Sequence, residues 1–161
     1  MGKAIIPVGP DVSKATLLKV TGNVMIQGMV EIVAEALVLA DKSGLGTDVL
    51  DNYIQLMFPR SPFALYSKRM ISGEYAPVPP NRPGFQIDLA RKDGRHAIDI
   101  ARASGTRLEV VEVMDRHLET AKKIGGDNMD IRYVLLRCVL CSSTYGTLRR
   151  EAGLRFSDTI E

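Results

Sequence analysis

The apolar residues of this chain recur with the period of α-helices along most of its length. The longest such segment runs from Leu17 to Ala40 and is interrupted by a polar residue at every fourth position. A step of four residues turns a helix by about 400°, so these polar residues form one slowly winding stripe. A helix this apolar must be surrounded by other helices or by a partner subunit. The stripe is then expected to face a cleft, water or a subunit boundary; its members are Lys19, Asn23, Gln27, Glu31 and Glu35.

Glycines and prolines divide the chain into about six predicted helices. The first is capped by Ser13 and ends near Lys42, where Gly44 supplies a left-handed turn. The proline-rich stretch EYAPVPPNRPG predicts an extended connection, and a short strand is conceivable only in the lead AIIPVGPD. The pattern thus predicts an all-α domain around one long central helix. The further helices are expected at Thr47 or Asp48 to Phe58, from Pro62 within SPFALYSKRMISG, and at Phe85–Ser104, Leu108–Ile124 and Met129–Glu151.

Composition supports a single soluble domain. The chain has 161 residues, of which 45% are hydrophobic and 25% charged, and its net charge is +2. This balance lacks the concentrated basic face of a nucleic-acid-binding protein. The polar stripe would be costly in lipid, so a buried helix is favoured over a membrane span, and no signal peptide is indicated. We therefore expect neither a nucleic acid nor a membrane as partner, and a cytoplasmic location, with the mitochondrial matrix as an alternative.

Lys19 and Asn23 lie one turn apart on the same face of the long helix. A lysine beside apolar neighbours loses hydration, which favours its neutral form and suits proton exchange with a substrate hydroxyl or carbonyl. An asparagine beside it can orient that oxygen through its amide. The structural alternative is a lysine that extends to solvent and an asparagine bonded to the backbone.

A second candidate group lies in PGFQIDLARKDGRHA. Here Phe85 and Leu89 are expected to share a helix face, with Lys92 and Asp93 beyond them. Lys92 could reach an anionic or carboxamide ligand, and Asp93 could orient a lysine through a charged hydrogen bond. The alternative is a solvated run of charges that includes the neighbouring arginines, Arg91 and Arg95.

The other chemically notable residues favour structural roles. Cys138 and Cys141 form CVLC without a second ligand pair, so two buried or half-buried thiols on a helix are expected rather than a zinc site. His96 and His117 lack a third ligand at metal-binding spacing, and no metal is expected. The segment GLGTD follows a helix rather than a strand, which indicates a helix end and not a dinucleotide-binding turn.

Taken together, several motifs resemble the C-terminal domain of the β-hydroxyacid dehydrogenase family, which includes 3-hydroxyisobutyrate dehydrogenase and semialdehyde reductases. LKVTGN resembles the family's K-x-x-x-N motif, and FQIDLARKD matches its F-x-x-x-L-x-x-K-D spacing. VGP, at residues 8–10, is similar to the junction after the family's Rossmann domain. VAEALVLADKSGL and IGGDNMDI resemble the continuation of the long helix and the loop before the last helix. 6-Phosphogluconate dehydrogenase is a more distant relative with a similar C-terminal domain.

The resemblance implies a role for each matching residue. Lys19 would be the catalytic lysine, Asn23 would bind substrate and Phe85 would line the substrate pocket. Lys92 would lie on the nicotinamide side, with Asp93 in support. The cofactor would be NAD or NADP, bound mainly by a Rossmann domain that this chain lacks. The substrate would be a small hydroxyacid or semialdehyde, and the protein a homodimer or higher oligomer.

The same resemblance implies a division of the chain and leaves alternatives open. Residues 1–12 would be a remnant of the interdomain junction and residues 13–161 the helical domain, so that the chain is a domain fragment, inactive alone. DVSKATL lacks the family's usual glycine-rich turn, and Gly94 and Arg95 stand where an apolar residue is common. The substrate is therefore open. The alternatives are a non-catalytic dimerisation module and an imine-reductase-like domain, against which Lys19 argues.

Overall fold

The computed structural model describes residues 4–73, 83–125 and 129–133, and these residues are mostly helical. Residues Ile131–Tyr133 form a short 3₁₀ turn near the end of the described chain. Within the described ranges, β-pairing consists of one isolated antiparallel bridge between Gln86 and Asp130. The predicted helical character is confirmed. The five α-helices are α1 (Ser13–Lys42), α2 (Thr47–Met57), α3 (Pro62–Ile71), α4 (Ile87–Ala103) and α5 (Glu109–Gly125).

The sixth predicted helix is not found where it was expected to begin. Met129 and Asp130 are not helical, and the 3₁₀ turn follows them directly. The remainder of the predicted range, with Cys138 and Cys141, lies outside the described residues, as does most of the proline-rich connection.

The helix ends are set by local capping interactions, but the cap of α1 is a different residue from the one predicted. The backbone N–H of Ser13 donates to Oδ1 of Asp11 at 2.9 Å, so Asp11 and not Ser13 supplies the side-chain bond at the start of α1. At the other end Gly44 adopts a φ of 80°, which confirms the predicted left-handed turn. Ser61 caps α3 through its side chain and Pro62 occupies the first turn, where its missing N–H costs nothing.

The long helix α1 forms the centre of the fold and contacts each of the other four α-helices. Its buried residues alternate with exposed ones at helical spacing, so one side is packed and the opposite side is open. The core joins α1 to α3, α4 and α5, and its buried members include Val30, Val33, Leu37, Met70, Ile87, Met114, Leu118 and Ile131.

By length and hydropathy alone, α1 could also cross a membrane. The same properties are common in the core helices of soluble proteins and carry little weight for a single helix near the N-terminus. In this structure 44% of its most apolar 18-residue window is buried inside the fold. The exposed side of α1 carries apolar side chains, among them Met25 and Ile32.

Phe85 lies outside the helix that the sequence pattern assigned to it. The N–H of Phe85 donates to Oδ2 of Asp130 at 2.9 Å, and its carbonyl accepts from the N–H of Ile131 at 2.8 Å. These bonds to the segment 129–131 replace helical ones, so α4 begins at Ile87. The expectation that Phe85 and Leu89 share a helix face is therefore wrong.

Candidate active site

Four polar side chains meet where α1 contacts α4; we call them the Asp93 cluster (Lys19, Asn23, Lys92 and Asp93). Oδ2 of Asp93 accepts a hydrogen bond from Nδ2 of Asn23 at 2.6 Å and forms an ion pair with Nζ of Lys19. Nζ of Lys92 lies 3.4 Å from Oδ1 of the same carboxylate. One buried acceptor thus gathers two ammonium groups and an amide.

The burial of the cluster is uneven. The side chain of Asp93 is 8% exposed, whereas those of Lys19 and Lys92 are 56% and 58% exposed. The expectation that Lys19 is desolvated among apolar neighbours is therefore wrong, because its ammonium lies at the surface beside a carboxylate. The ammonium groups of Lys19 and Lys92 are therefore hydrated and could donate to the oxygen of a ligand. The buried carboxylate of Asp93 fixes their positions.

The pKa of the Asp93 carboxyl reflects opposing influences. Burial raises the pKa, but the hydrogen bond and charge of Lys19, followed by those of Lys92, outweigh burial and hold the pKa below its ordinary value of 3.8. Asp93 is therefore ionised at neutral pH, which is the state that binds both ammonium groups and the Asn23 amide.

This lowered pKa predicts how stability depends on pH. Because the unfolded chain binds the Asp93 proton more tightly, the stabilisation is fully present above about pH 4 and is lost as pH falls through the folded pKa. We expect the free energy of unfolding, measured in urea between about pH 3 and pH 6, to fall less steeply with acid in Asp93→Asn than in the parent. Equal slopes for the two proteins would contradict this assignment.

The structure does not join Phe85 to the cluster. Its ring is partly buried and packs against the core. Its backbone hydrogen bonds run to Asp130 and Ile131, and none of those seen within the described ranges connects it to the Asp93 cluster. The side chains that do converge are Lys19, Asn23, Lys92 and Asp93.

The polar stripe of α1 continues inward rather than along a cleft. Beyond Asn23, the buried amide of Gln27 donates to the carbonyl of Ala90 on α4 at 2.8 Å. Glu31 is also buried and pairs with Nδ1 of His117 on α5. The middle of the stripe thus binds other helices, contrary to the expectation of a cleft or water. His117 is thus a buried core histidine.

The charge run around Lys92 is only partly solvated. The side chain of Arg91 is largely buried, and its Nε donates to Oδ1 of Asp115 on α5 at 2.8 Å. The hydrogen bond to Asp115 raises the pKa of the guanidinium above its ordinary value, and burial, which lowers that pKa, offsets only part of the rise. Arg95 is exposed and approaches the same carboxylate at 3.4 Å. A surface depression of about 280 Å³ is lined by Asp88, Arg91, Lys92, Arg95, His96 and Asp99.

Known proteins resemble the chain in sequence. It is 32% identical over 154 residues to an NADH-dependent oxidoreductase, ucdB, of Aspergillus ustus, covering 96% of this chain and 50% of the relative. It is 26% identical over 136 residues to glyoxylate/succinic semialdehyde reductase 1 of Arabidopsis thaliana, covering 84% of this chain and 45% of the relative. The chain therefore spans about half the length of the curated relatives it matches.

A solved structure and a family model also resemble this chain. The structure of a 3-hydroxyisobutyrate dehydrogenase from Salmonella typhimurium superposes with a TM-score of 0.65 at 20% identity, over 75% of this chain and 41% of that one. A family model described as NAD-binding of NADP-dependent 3-hydroxyisobutyrate dehydrogenase matches residues 13–137. This match covers most of the chain, and the protein therefore belongs to that nicotinamide-dependent oxidoreductase family.

Proposed function

We propose that this chain is the C-terminal, substrate-binding domain of an NAD(P)-dependent hydroxyacid dehydrogenase or semialdehyde reductase. The observation that carries the proposal is the Asp93 cluster, which sets the amine of Lys19 and the amide of Asn23 side by side at the surface. In this proposal residues 1–12 join residues 13–161 to a Rossmann domain. That domain accounts for the half of the relatives that this chain does not span and holds most of the dinucleotide.

When bound, NAD or NADP would supply the hydride-transfer chemistry at the substrate carbon. Lys19 gives a proton to the carbonyl oxygen in reduction, or takes one from the hydroxyl in oxidation. Its exposed ammonium can then re-equilibrate with water. Asn23 orients the same oxygen by donating from its amide, and Asp93 holds both donors in place. Phe85 forms part of the pocket wall in this proposal.

Lys92, beside the other oxygen of the Asp93 carboxylate, is suited to bind a nicotinamide cofactor. Lys92 presents an exposed ammonium 3.4 Å from Asp93, and an ammonium can donate to a carboxamide oxygen or to a phosphate. Lys92, supported by Asp93, would therefore hold the cofactor from this domain. Whether NAD or NADP binds is left to the Rossmann domain.

The experiment is an assay of the enzyme in which this chain is joined to such a Rossmann domain. We expect NAD(P)H oxidation with glyoxylate or a small semialdehyde, and none by this chain alone. Turnover of cyclic imines but not of aldehydes would favour the imine-reductase-like alternative. No turnover of any of these substrates would leave the non-catalytic module as the better account.

A second role, self-association, is supported by the open side of α1. Apolar side chains recur there at intervals of seven residues, and between 44% and 73% of each is exposed. A strict seven-residue repeat drifts by only about 20° per heptad on a helix, so these residues form one seam. We propose that the seam packs against a second copy of the chain in a homodimer; it consists of Leu18, Met25, Ile32 and Leu39.

A charge in the seam should separate the copies. Because Ile32 is 57% exposed, we expect Ile32→Glu to fold normally and to turn a dimer into a monomer by light scattering. Thr120→Glu places the same charge on an exposed part of α5 and should leave the dimer intact. A monomeric parent, or a dimer that survives Ile32→Glu, would contradict this role of α1.

A further inference from the structure

The side chain of Gln27 contacts α4 one helical turn beyond Asn23 of the Asp93 cluster. Gln27 follows Asn23 by four residues and is 2% exposed. Its Nε2 donates to the carbonyl of Ala90 at 2.8 Å, and Ala90 lies three residues before Asp93 on the same helix. A helix carbonyl can accept this second bond because it has two lone pairs. The amide of Gln27 thus ties the two helices together just below the cluster.

Gly94 makes this approach sterically feasible. A Cβ at this position would lie 2.8 Å from Oε1 of Gln27 and 3.4 Å from Cγ1 of Val111. The first distance is shorter than real Cβ contacts allow, so any larger residue would displace the amide or move α4 away from α1. A displaced amide would lose its partner in a buried place, which is costly. The position of the Gln27 amide therefore requires a residue without a Cβ at position 94.

We propose that Gln27 and Gly94 are positioning residues that set α4 against α1 and thereby hold Asp93 on Lys19 and Asn23. Asn23 and Gln27 are consecutive members of the stripe on α1, while Asp93 and Gly94 are adjacent on α4. A shift of α4 at Gly94 is thus transmitted to the neighbouring carboxylate. Hydrogen bonds weaken steeply with distance and angle, so the bond of 2.6 Å between Asn23 and Asp93 is sensitive to such a shift.

A purely structural role for this pair predicts a different result. If Gln27 only fills the core, its replacement lowers stability while the environment of Asp93 stays the same. If it positions Asp93, the same replacement loosens the contacts to Lys19 and Asn23. The pKa of Asp93 then rises toward 3.8, because those contacts hold it down. The pKa of one carboxyl therefore separates the two roles.

The test measures that pKa by carbon-detected NMR titration of this chain, together with its free energy of unfolding. Gln27→Met keeps the core filled but removes the amide, and Gly94→Ala adds the obstructing Cβ. We expect a raised Asp93 pKa in both variants. We also expect the double variant to lose less stability than the two single losses added together, since the methionine carries no amide oxygen against the new Cβ. Gly22→Ala adds a Cβ on α1 that meets nothing within 4 Å and should leave the pKa unchanged.

An unchanged Asp93 pKa in Gln27→Met would overturn the proposal, whatever the loss of stability. If Gly94→Ala fails to fold, the titration of Gln27→Met still decides. The catalytic consequence rests on the proposed function: in the enzyme, Gln27→Met should lower kcat by up to about 10²-fold, with little change in KM for NAD(P)H. A raised pKa with unchanged kcat would uphold the positioning of Asp93 and contradict the proposed role of the cluster in catalysis.

Discussion

Replacing Lys19 by alanine, in the enzyme proposed to contain this chain, is expected to lower kcat by about 10²–10⁴, the usual contribution of a positioned acid or base. The ammonium lies at the surface and is paired with the carboxylate of Asp93. Within the Asp93 cluster, the only other exposed group with a transferable proton is the ammonium of Lys92, which lies beside the other carboxylate oxygen, Oδ1. The measurement is steady-state oxidation of NAD(P)H at saturating substrate.

The control for this change is Lys14→Ala, which removes an exposed lysine from the first turn of the same helix. It should leave kcat within a factor of about two, because no hydrogen bond or ion pair seen among the described residues joins Lys14 to the Asp93 cluster, and most surface substitutions are neutral. Because Lys19→Ala removes an ion-pair partner from the buried carboxylate of Asp93, the free energy of unfolding is measured alongside kcat. A fall in kcat that merely follows unfolding would contradict a chemical role for this amine.

Replacing Asp130 by alanine is expected to lower the free energy of unfolding by about 3–5 kcal/mol, the usual cost of breaking a buried ion pair from one side. Asp130 is 1% exposed. Its Oδ1 accepts from the backbone and Nε of Arg132, at 3.1 and 2.5 Å, and its Oδ2 accepts from the N–H of Phe85. The substitution removes both acceptor oxygens, and with them three hydrogen bonds, and leaves the buried guanidinium of Arg132 without this carboxylate.

Urea unfolding of the parent and three variants measures this effect. Asp130→Asn keeps the shape and one acceptor, so its loss should be smaller than that of Asp130→Ala. Asp88→Ala breaks an exposed pair with Lys122 on the surface of α4 and should cost less than about 1 kcal/mol. A loss of stability in Asp130→Ala no greater than that in Asp88→Ala would show that Asp130 does not hold the Phe85 segment.

Local patterns in the sequence predict most helices because the signals for helix ends are themselves local. Gly44 ends α1 in the predicted left-handed turn, and Pro62 begins α3 behind the cap of Ser61. Apolar residues at helical spacing located α1, α4 and α5 to within two residues at each end. Such signals depend on neighbours a few positions away, which a sequence displays directly.

Contacts between distant residues could not be predicted in this way. Phe85 continues the helical pattern of α4, yet its backbone bonds to residues 45 and 46 positions later and leaves the helix. The spacing along α1 predicts a polar stripe, but it does not reveal that Glu31 contacts His117, which is 86 positions away. For the role of Gln27, the sequence offers only its position on the polar stripe of α1 as a signal.

The candidate site was predicted in part from the residues and in part from the family resemblance. Spacing alone places Lys19 beside Asn23 and leaves a structural explanation open for both. The structure adds their common partner, since both side chains donate to Oδ2 of Asp93 from another helix. The apolar neighbours of Lys19 in the sequence predict a dehydrated ammonium, but successive residues point to different sides of a helix and the side chain is more than half exposed.

The central claim is that the amine of Lys19 exchanges a proton with the substrate, and chemical rescue tests it most directly. In Lys19→Ala enzyme, added methylamine should fill the vacated space and restore part of kcat, in proportion to amine concentration. Parent and Lys14→Ala enzymes should not respond. A kcat that is low in Lys19→Ala and stays constant across all amine concentrations would contradict the claim.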